Sequence, residues 1–246
     1  MPEIIVALDV ASAKLGHALV ERLGEDADFY KVGSLLFSAA GPEFVRELRQ
    51  AGKRVFLDLK YLDIPHTVAG AVEAAARLDV ELLTLHASGG TAMMRAARDA
   101  LGHDEGRPKL VGVTVLTSFT AAELELVWDK QLRSLREEVA RLAGLAAAAG
   151  LDGVVASARE AESLKRRHGA DFIVVTPGIR PAGTLEADQA RTGTPAEAAR
   201  AGADYLVIGR PVTAAADPAV ALRGIRAEIA GRAPDELAGA PQTLQA

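Results

Sequence analysis

Short apolar runs alternate with longer segments rich in Ala, Leu, Glu and Arg along nearly the whole chain. The short runs have the length and β-branched content of strands, whereas the longer segments repeat apolar residues at helical spacing. Strands that alternate with helices pair in parallel through crossover connections. The pattern gives eight strand–helix units, with strands predicted at 3–8, 29–32, 54–59, 81–86, 109–116, 152–156, 172–176 and 204–208 and helices that include 13–23, 42–51, 67–78 and 212–229.

This order of elements predicts a closed barrel. The strands are almost continuously apolar, which indicates that both of their faces are covered. Eight parallel units of this kind fit an α/β protein with a single-domain (β/α)8 TIM barrel over residues 1–231. A doubly wound open sheet is the alternative that the pattern leaves open. Residues 232–246 are polar and rich in Pro, Gly and Ala, so we expect a loose C-terminal tail there.

Composition narrows the choice of partners and location. The chain of 246 residues has a formal net charge of -5 and no basic block, which argues against nucleic-acid binding through a cationic face. It contains no cysteine, which excludes disulfides, thiolate nucleophiles and cysteine metal sites, and fits a cytoplasmic location. We expect neither a signal peptide nor a membrane span, because no apolar stretch has the required flanks or length.

Charged residues stand at the ends of the first three predicted strands. Asp9 follows the first strand, Lys31 ends the second, and Asp58 and Lys60 end the third. Catalytic groups of (β/α)8 barrels gather at the carboxyl ends of the strands. A charge near a barrel interior is costly unless it is paired, and these four residues can pair with one another. They therefore predict either an active site or a structural ion-pair network.

The stretch VFLDLKYLDIPHT, residues 55–67, concentrates this chemistry. Side chains alternate along a strand, so Asp58 and Lys60 are expected to point together into the barrel mouth. A lysine between carboxylates keeps its charge, which favours a proton donor over a Schiff-base amine. Asp63 is expected on the following loop, because the residue before a proline favours extended geometry. Thr67 is a candidate N-cap of the next helix.

The loops after the seventh and eighth strands predict a phosphate site. They carry TPGIRPAG at 176–183 and IGRP at 208–211, and these two loops often hold a phosphate in such barrels. Arg180 and Arg210 can grip phosphate oxygens in a forked geometry. Gly209 offers a backbone N–H at a helix start. Turn chemistry with two surface arginines is the alternative interpretation.

DLKYLDIPHT resembles the D-x-K-x-x-D-I-P-x-T signature of the orotidine 5′-phosphate decarboxylase family. The segments ALDV, YKVG, HASGG, VTVLTS, TPGIRP, DQAR and AGADYLVIGRPVT extend the resemblance over nearly the whole chain up to the tail. It implies a homodimeric barrel that converts orotidine 5′-monophosphate to uridine 5′-monophosphate and carbon dioxide. This reaction is the last step of de novo UMP biosynthesis, and the resemblance implies no metal and no organic cofactor.

The same resemblance implies roles for individual residues. Lys60 would be the proton donor within a charged array that also contains Lys31, Asp58 and Asp63. Asp63 and Thr67 would complete the site of the partner subunit. The remaining substrate contacts would come from Asp9 and Lys31 at the ribose, Asp58 near the carboxylate, Thr117 at the pyrimidine ring, and Arg180, Gln189, Gly209 and Arg210 at the phosphate or the loop that closes over it.

Two rival functions remain open from the sequence. One is a related barrel that acts on a sugar phosphate with Mg²⁺ bound to the carboxylates, against which the DIPHT ending and the DQAR segment argue. The other is a catalytically silent nucleotide-binding barrel. Its expected marker is the loss of Lys60 or Asp58, and both residues are present.

Overall fold

A computed structural model of the protein describes residues 1–102, 106–181 and 192–231. Eight parallel strands form a closed barrel in which each strand pairs with the next and β8 pairs with β1. This closure confirms the predicted (β/α)8 TIM barrel and rules out the open sheet. The strands are β1 (Glu3–Ala7), β2 (Phe29–Gly33), β3 (Arg54–Tyr61), β4 (Leu82–His86), β5 (Lys109–Val113), β6 (Gly153–Val155), β7 (Ile173–Thr176) and β8 (Tyr205–Ile208).

Helices surround the barrel and connect its strands. Among the described residues they are α1 (Ala13–Leu23), α2 (Ser34–Gln50), α3 (Pro65–Ala76), α4 (Gly90–Ala100), α5 (Ala121–Trp128), α6 (Leu135–Ala148), α7 (Ala158–His168), α8 (Pro195–Arg200), α9 (Arg210–Thr213) and α10 (Pro218–Ile229). None of the described helices is both long enough and apolar enough to cross a membrane.

Strand alternation divides the apolar core into two layers. One face of each strand packs against the helices in a large outer layer that includes Leu57, Leu83 and Leu206. The other face fills the barrel interior. This inner layer consists of Ile5, Ala7, Phe29, Phe56, Leu82, Val111, Val175 and Val207. Burial of each large apolar side chain stabilises the fold by roughly 1.5–3 kcal/mol, so the two layers hold the strand ends in place.

Helix α2 includes a segment that the sequence analysis does not predict. The predicted helix does begin at Pro42, but a shorter helical segment that begins at Ser34 precedes it across a kink. Gly41 forms the kink with a φ of 68°, a conformation that glycine adopts without steric cost. Proline lacks the N–H that would continue the helical hydrogen bonds, so the break falls just before Pro42.

Two other helix boundaries also differ from the sequence prediction. Helix α3 begins at Pro65 with Ile64 as its N-cap, so the expectation that Thr67 caps this helix is wrong. Proline suits the first helical position because its missing N–H has no partner there. The helix predicted over 212–229 is two helices, since Asp217 caps α10 by accepting a hydrogen bond from the Val220 N–H at 3.0 Å.

The predicted tail, residues 232–246, lies outside the described residues. The division of the chain into a catalytic domain over 1–231 and a tail therefore stays a prediction.

Candidate active site

A cavity of about 660 Å³ opens at the carboxyl end of the barrel. Its apolar wall includes Phe56, Val175 and Val207 from the inner layer of the core. The polar lining comes from strand ends and the loops that follow them. Of the residues predicted from the sequence, Asp9, Lys31, Asp58, Lys60, Thr117, Arg180, Gly209 and Arg210 all line this one cavity.

Four charged side chains form an alternating row along the cavity. Lys31 Nζ lies 2.7 Å from Asp9 Oδ1 and 3.7 Å from Asp58 Oδ2. Lys60 Nζ donates a hydrogen bond to the same Asp58 oxygen at 2.7 Å. The order is therefore acid, ammonium, acid, ammonium, which brings together three of the four predicted catalytic residues and the predicted ribose ligand Asp9.

The row runs from a buried centre to a more open edge. The side chains of Asp58 and Lys31 are each 10% exposed, whereas that of Lys60 is 35% exposed. Burial by itself raises the pKa of Asp58. The ammonium groups of Lys60 and Lys31, with hydrogen bonds from Lys60 and Thr84, outweigh burial, so the pKa of Asp58 lies below its ordinary value. Asp58 is accordingly a carboxylate at neutral pH.

An irregularity in β3 presents Lys60 to the cavity. Leu57 pairs with Leu83 and Tyr61 with Leu85, so four steps along β3 match two steps along β4. The backbone absorbs the difference at Lys60, whose φ of 52° lies in the left-handed region. Residues other than glycine rarely adopt this conformation, which costs about 1–2 kcal/mol. Asp58 and Lys60 share the predicted face, but strand alternation alone does not describe how the chain achieves it.

Gly33 leaves room for the row of charges. It ends β2 beside Lys31 and lines the cavity. A Cβ atom at this position would lie 3.0 Å from Lys31 Nζ and 3.5 Å from Asp9 Oδ1. The absence of a side chain therefore allows the Lys31 ammonium to reach both carboxylates.

The two predicted phosphate loops border the same cavity. Gly178 and Arg180 follow β7, while Gly209 and Arg210 follow β8. Gly209 is the N-cap of the short helix α9. The Arg180 N–H donates to the Gly193 carbonyl at 3.0 Å, which ties the loop after β7 to the segment before α8. Gln189 and the DQAR segment lie outside the described residues.

Asp63 and Thr67 do not line the cavity of their own chain. Both are exposed, and Asp63 Oδ1 accepts a hydrogen bond from the adjacent Ile64 N–H at 2.6 Å. Leu62 and Ile64 beside them are 56% and 66% exposed. The structure therefore separates these two predicted site residues from the other members of the site.

Thr84 is a contact of the site that sequence reasoning missed. Its hydroxyl donates to Asp58 Oδ1 at 3.0 Å and accepts from the Lys60 backbone N–H at 2.9 Å. The signal in the sequence is a lone hydroxyl in the apolar run LLTLH of β4. Such a residue is common in buried strands, so only the register of β3 against β4 reveals its contacts.

Within the described ranges, no group of three or more His, Cys, Asp or Glu side chains is arranged to hold a metal ion. Both oxygens of Asp58 already accept hydrogen bonds from protein donors.

Fold and site together define the class of protein as an α/β barrel with a polar cavity at the carboxyl end of its strands. Two ammonium groups line this cavity, and its position is the usual one for an enzyme active site. Residues 2–225 match the model of the "Orotidine 5'-phosphate decarboxylase / HUMPS family". The chain belongs to this family, which confirms the resemblance seen in the sequence.

Individual relatives support this assignment. The chain is 51% identical to an orotidine 5′-phosphate decarboxylase of Moorella thermoacetica over 232 residues, which cover 92% of each chain. It is 52% identical to one of Halorhodospira halophila, over 93% of this chain and 96% of the relative. The crystal structure of an orotidine 5′-phosphate decarboxylase from Lactobacillus acidophilus superimposes with a TM-score of 0.82 at 39% identity, covering 93% of this chain and 99% of that one.

Proposed function

We propose that this protein decarboxylates orotidine 5′-monophosphate to uridine 5′-monophosphate, in the pathway of UMP biosynthesis. Family membership and relatives of that name support the activity. The observation that carries the proposal is the position of the Lys60 ammonium, 2.7 Å from the buried Asp58 carboxylate and on the lining of the cavity. A cytoplasmic location stays a prediction from the cysteine-free composition.

The cavity offers a separate contact for each part of the nucleotide. Arg180 and Arg210 provide positive charge for the phosphate, with Gln189 as a further proposed contact. Asp9 and Lys31 can hydrogen-bond the ribose hydroxyls. Thr117 and the apolar wall would then receive the pyrimidine ring.

The chemical step requires stabilisation of a carbanion at C6 of the pyrimidine. The bond between C6 and the carboxylate breaks, its electron pair stays on C6, and carbon dioxide leaves. The Lys60 ammonium stabilises the developing negative charge and then transfers a proton to C6. The resulting neutral amine regains a proton from water. In this proposal the protein's fixed charges replace the electron sink that other decarboxylases take from a cofactor.

Asp58 acts in two ways in this proposal. It orients the Lys60 ammonium through the 2.7 Å hydrogen bond. Its carboxylate also stands next to the position proposed for the substrate carboxylate, where repulsion between like charges raises the energy of the bound substrate. Departure of carbon dioxide removes that repulsion, so the effect favours bond cleavage.

The contacts of Asp58 argue against the rival reaction with Mg²⁺ on a sugar phosphate. Lys60 and Lys31 flank one carboxylate oxygen, and Thr84 donates to the other. A divalent cation at Asp58 would have to displace these donors and lie beside two ammonium groups.

The proposed function is tested by the ultraviolet spectrum of orotidine 5′-monophosphate after addition of purified protein. We expect conversion to uridine 5′-monophosphate with and without EDTA. Complete loss of activity in EDTA would contradict the metal-independent mechanism. A spectrum that does not change at saturating substrate would instead support the silent nucleotide-binding barrel.

The proposal includes a homodimer in which Asp63 and Thr67 complete the partner's site. Their exposure, and their position outside the cavity of their own chain, support this arrangement. The apolar side chains of Leu62 and Ile64 next to them would be covered in such a dimer.

Subunit mixing tests the shared site. Lys60→Ala and Asp63→Ala variants are each expected to be inactive, but random exchange of their subunits gives hybrids with one intact site. Activity should return to about a quarter of the wild-type value, because about half of the dimers are hybrids with one working site of two. No recovery after demonstrated subunit exchange would contradict the shared site.

A further inference from the structure

We propose that Thr84 is a positioning residue that sets the Lys60 ammonium and the Asp58 carboxylate in their reactive geometry. The inference rests on the proposed function, since it concerns the same chemical step. Thr84 is fully buried in β4 and does not line the cavity, so it acts through the two residues that it contacts.

The first contact supports the irregular backbone of β3. Between the pairs Leu57–Leu83 and Tyr61–Leu85, Thr84 is the single residue of β4 that faces the extra length of β3. The regular ladder is broken there, and the Lys60 N–H donates to the Thr84 hydroxyl at 2.9 Å instead of to a strand carbonyl. A buried N–H without an acceptor is costly, so this bond stabilises the left-handed conformation of Lys60.

The second contact fixes the carboxylate. The Thr84 hydroxyl donates to Asp58 Oδ1 at 3.0 Å, which leaves Oδ2 for Lys60 and Lys31. A hydroxyl has one proton and can donate to only one acceptor at a time. Because its proton goes to Asp58, its lone pairs receive the Lys60 N–H, and the two bonds complement each other.

One hydroxyl thus links the backbone of the proposed proton donor to the side chain of its partner acid. Thr84→Val keeps the shape of the residue and removes both hydrogen bonds. The Lys60 backbone then loses its support, and Asp58 loses a donor that favours its ionised form. We expect the catalytic geometry to change without a direct change in the substrate contacts.

The test compares Thr84→Val, Thr84→Ser and the wild type in the decarboxylation of orotidine 5′-monophosphate. For Thr84→Val we expect kcat to fall about 10–100-fold, since small displacements of catalytic groups have effects of this size. The dissociation constant of uridine 5′-monophosphate should change by less than about threefold, because Thr84 does not line the cavity. Thr84→Ser keeps the hydroxyl and should retain most of kcat.

The pH profile separates positioning from a purely structural role. Loss of the Thr84 hydrogen bond raises the pKa of Asp58, so the acid limb of the kcat profile should move to higher pH in Thr84→Val and stay in place in Thr84→Ser. Ser163→Ala is the control, because it also removes a hydrogen-bonded hydroxyl, which donates to the Glu160 carbonyl in α7 at 2.8 Å and does not line the cavity. It should retain wild-type kcat and pH dependence.

The outcomes distinguish this inference from the proposed function. If the wild type does not convert orotidine 5′-monophosphate, the proposed function fails and the role of Thr84 fails with it. If the wild type is active and folded Thr84→Val keeps its kcat and acid limb, only the role of Thr84 is contradicted. Should Thr84→Val not fold, Thr84→Cys replaces the hydroxyl by a weaker donor and acceptor. Its kcat should fall below that of Thr84→Ser, and equality of the two would contradict the inference.

Discussion

Both ends of the barrel hold a cluster of charged side chains, but the two clusters differ in how completely their hydrogen-bond donors are paired. At the amino end, the Arg54 guanidinium forks onto Glu81 with bonds of 2.6 and 2.5 Å and also binds Glu3. It lies 4.2 Å from the centre of the Phe29 ring, which also packs nearly perpendicular to the Tyr205 ring with 5.9 Å between their centres. The ion pairs and the two aromatic rings together cover the amino end of the barrel.

The carboxyl end carries its charges on a cavity wall. Lys31 and Lys60 are ammonium groups with three donors each, and within the described residues the Lys60 ammonium hydrogen-bonds only to Asp58. Donor capacity therefore remains available beside a cavity of about 660 Å³. A cluster whose charges are all paired therefore stabilises a barrel end. A cluster that keeps unused hydrogen-bond donors beside a cavity is suited to bind a ligand and take part in a reaction.

The largest expected effect is the loss of turnover in Lys60→Ala. Removal of the proposed proton donor and of its charge should lower kcat by at least about 10⁴-fold, while uridine 5′-monophosphate still binds. Lys109→Ala, an exposed lysine at the start of β5, is the control from the amino end and should keep full activity. The measurement is the rate of decarboxylation, monitored by ultraviolet absorbance. A kcat of Lys60→Ala within tenfold of the wild-type value would contradict the proposed role of Lys60.

The amino-end cluster should respond in stability rather than in turnover. Arg54→Ala leaves Glu3 and Glu81 without their partner, and we expect the free energy of unfolding to fall by about 1–2 kcal/mol, because the bonds are charge-assisted but the side chains are partly exposed. Arg77→Ala removes an exposed pair with Glu73 at the C-terminal end of α3 and should cost about 0.5 kcal/mol or less. Urea unfolding measures both values. Comparable losses in the two variants would mean that Arg54 does not close this end of the barrel.

A smaller effect on the active cluster is expected from Gly33→Ala. Its φ of -94° accepts alanine, but the new Cβ atom would press on Lys31 Nζ from 3.0 Å. A displacement of a few tenths of an ångström should lower kcat/KM by about tenfold. Gly224→Ala in α10 meets no atom within 4 Å and should leave kcat/KM unchanged. Equal kinetics for both variants would show that Lys31 does not need the space at Gly33.

The smallest expected effect is on stability in acid. The pKa values of Asp58 and Asp152 both lie below the ordinary value of an aspartate in the folded protein, because neighbouring cations and hydrogen bonds outweigh burial. A lowered folded-state pKa contributes stability above the unfolded value, and this contribution is lost as pH falls through the lowered pKa. Asp58→Asn and Asp152→Asn should each weaken the decline of the free energy of unfolding as pH falls below about 4.

Activity at neutral pH distinguishes the role of Asp58 from that of Asp152. Asp152 binds Arg107 at the amino end, so Asp152→Asn should remain active once folded. Asp58→Asn should lose turnover. A variant of Asp58 whose acid stability curve matches that of the wild type would contradict the lowered pKa.

The sequence predicts the barrel well because its elements depend on local periodicity. Eight apolar runs separated by helical segments leave few ways to cover both faces of a parallel sheet. The prediction of helix boundaries fails where a single residue determines where a helix begins. Pro65 starts α3 ahead of the predicted cap Thr67, and Asp217 with Pro218 starts a separate helix α10.

Some residues of the candidate site can also be predicted from the sequence, whereas others cannot. Asp9, Lys31, Asp58 and Lys60 are predictable because charges at strand ends of a barrel must converge, and the structure brings them together. Thr84 and the left-handed backbone of Lys60 depend on the register between β3 and β4, which no single segment encodes. Asp63 and Thr67 do not line the cavity of their own chain, so their proposed role depends on a second subunit.

A structure of the protein with uridine 5′-monophosphate bound tests the central claim most directly, through the distance from Lys60 Nζ to C6 of the pyrimidine. We predict a separation of about 3–3.5 Å, close enough for proton transfer, with Asp58 still hydrogen-bonded to the ammonium. An ammonium that points to bulk solvent, or that lies beyond about 5 Å from C6 with the phosphate held by Arg180 and Arg210, would contradict the account.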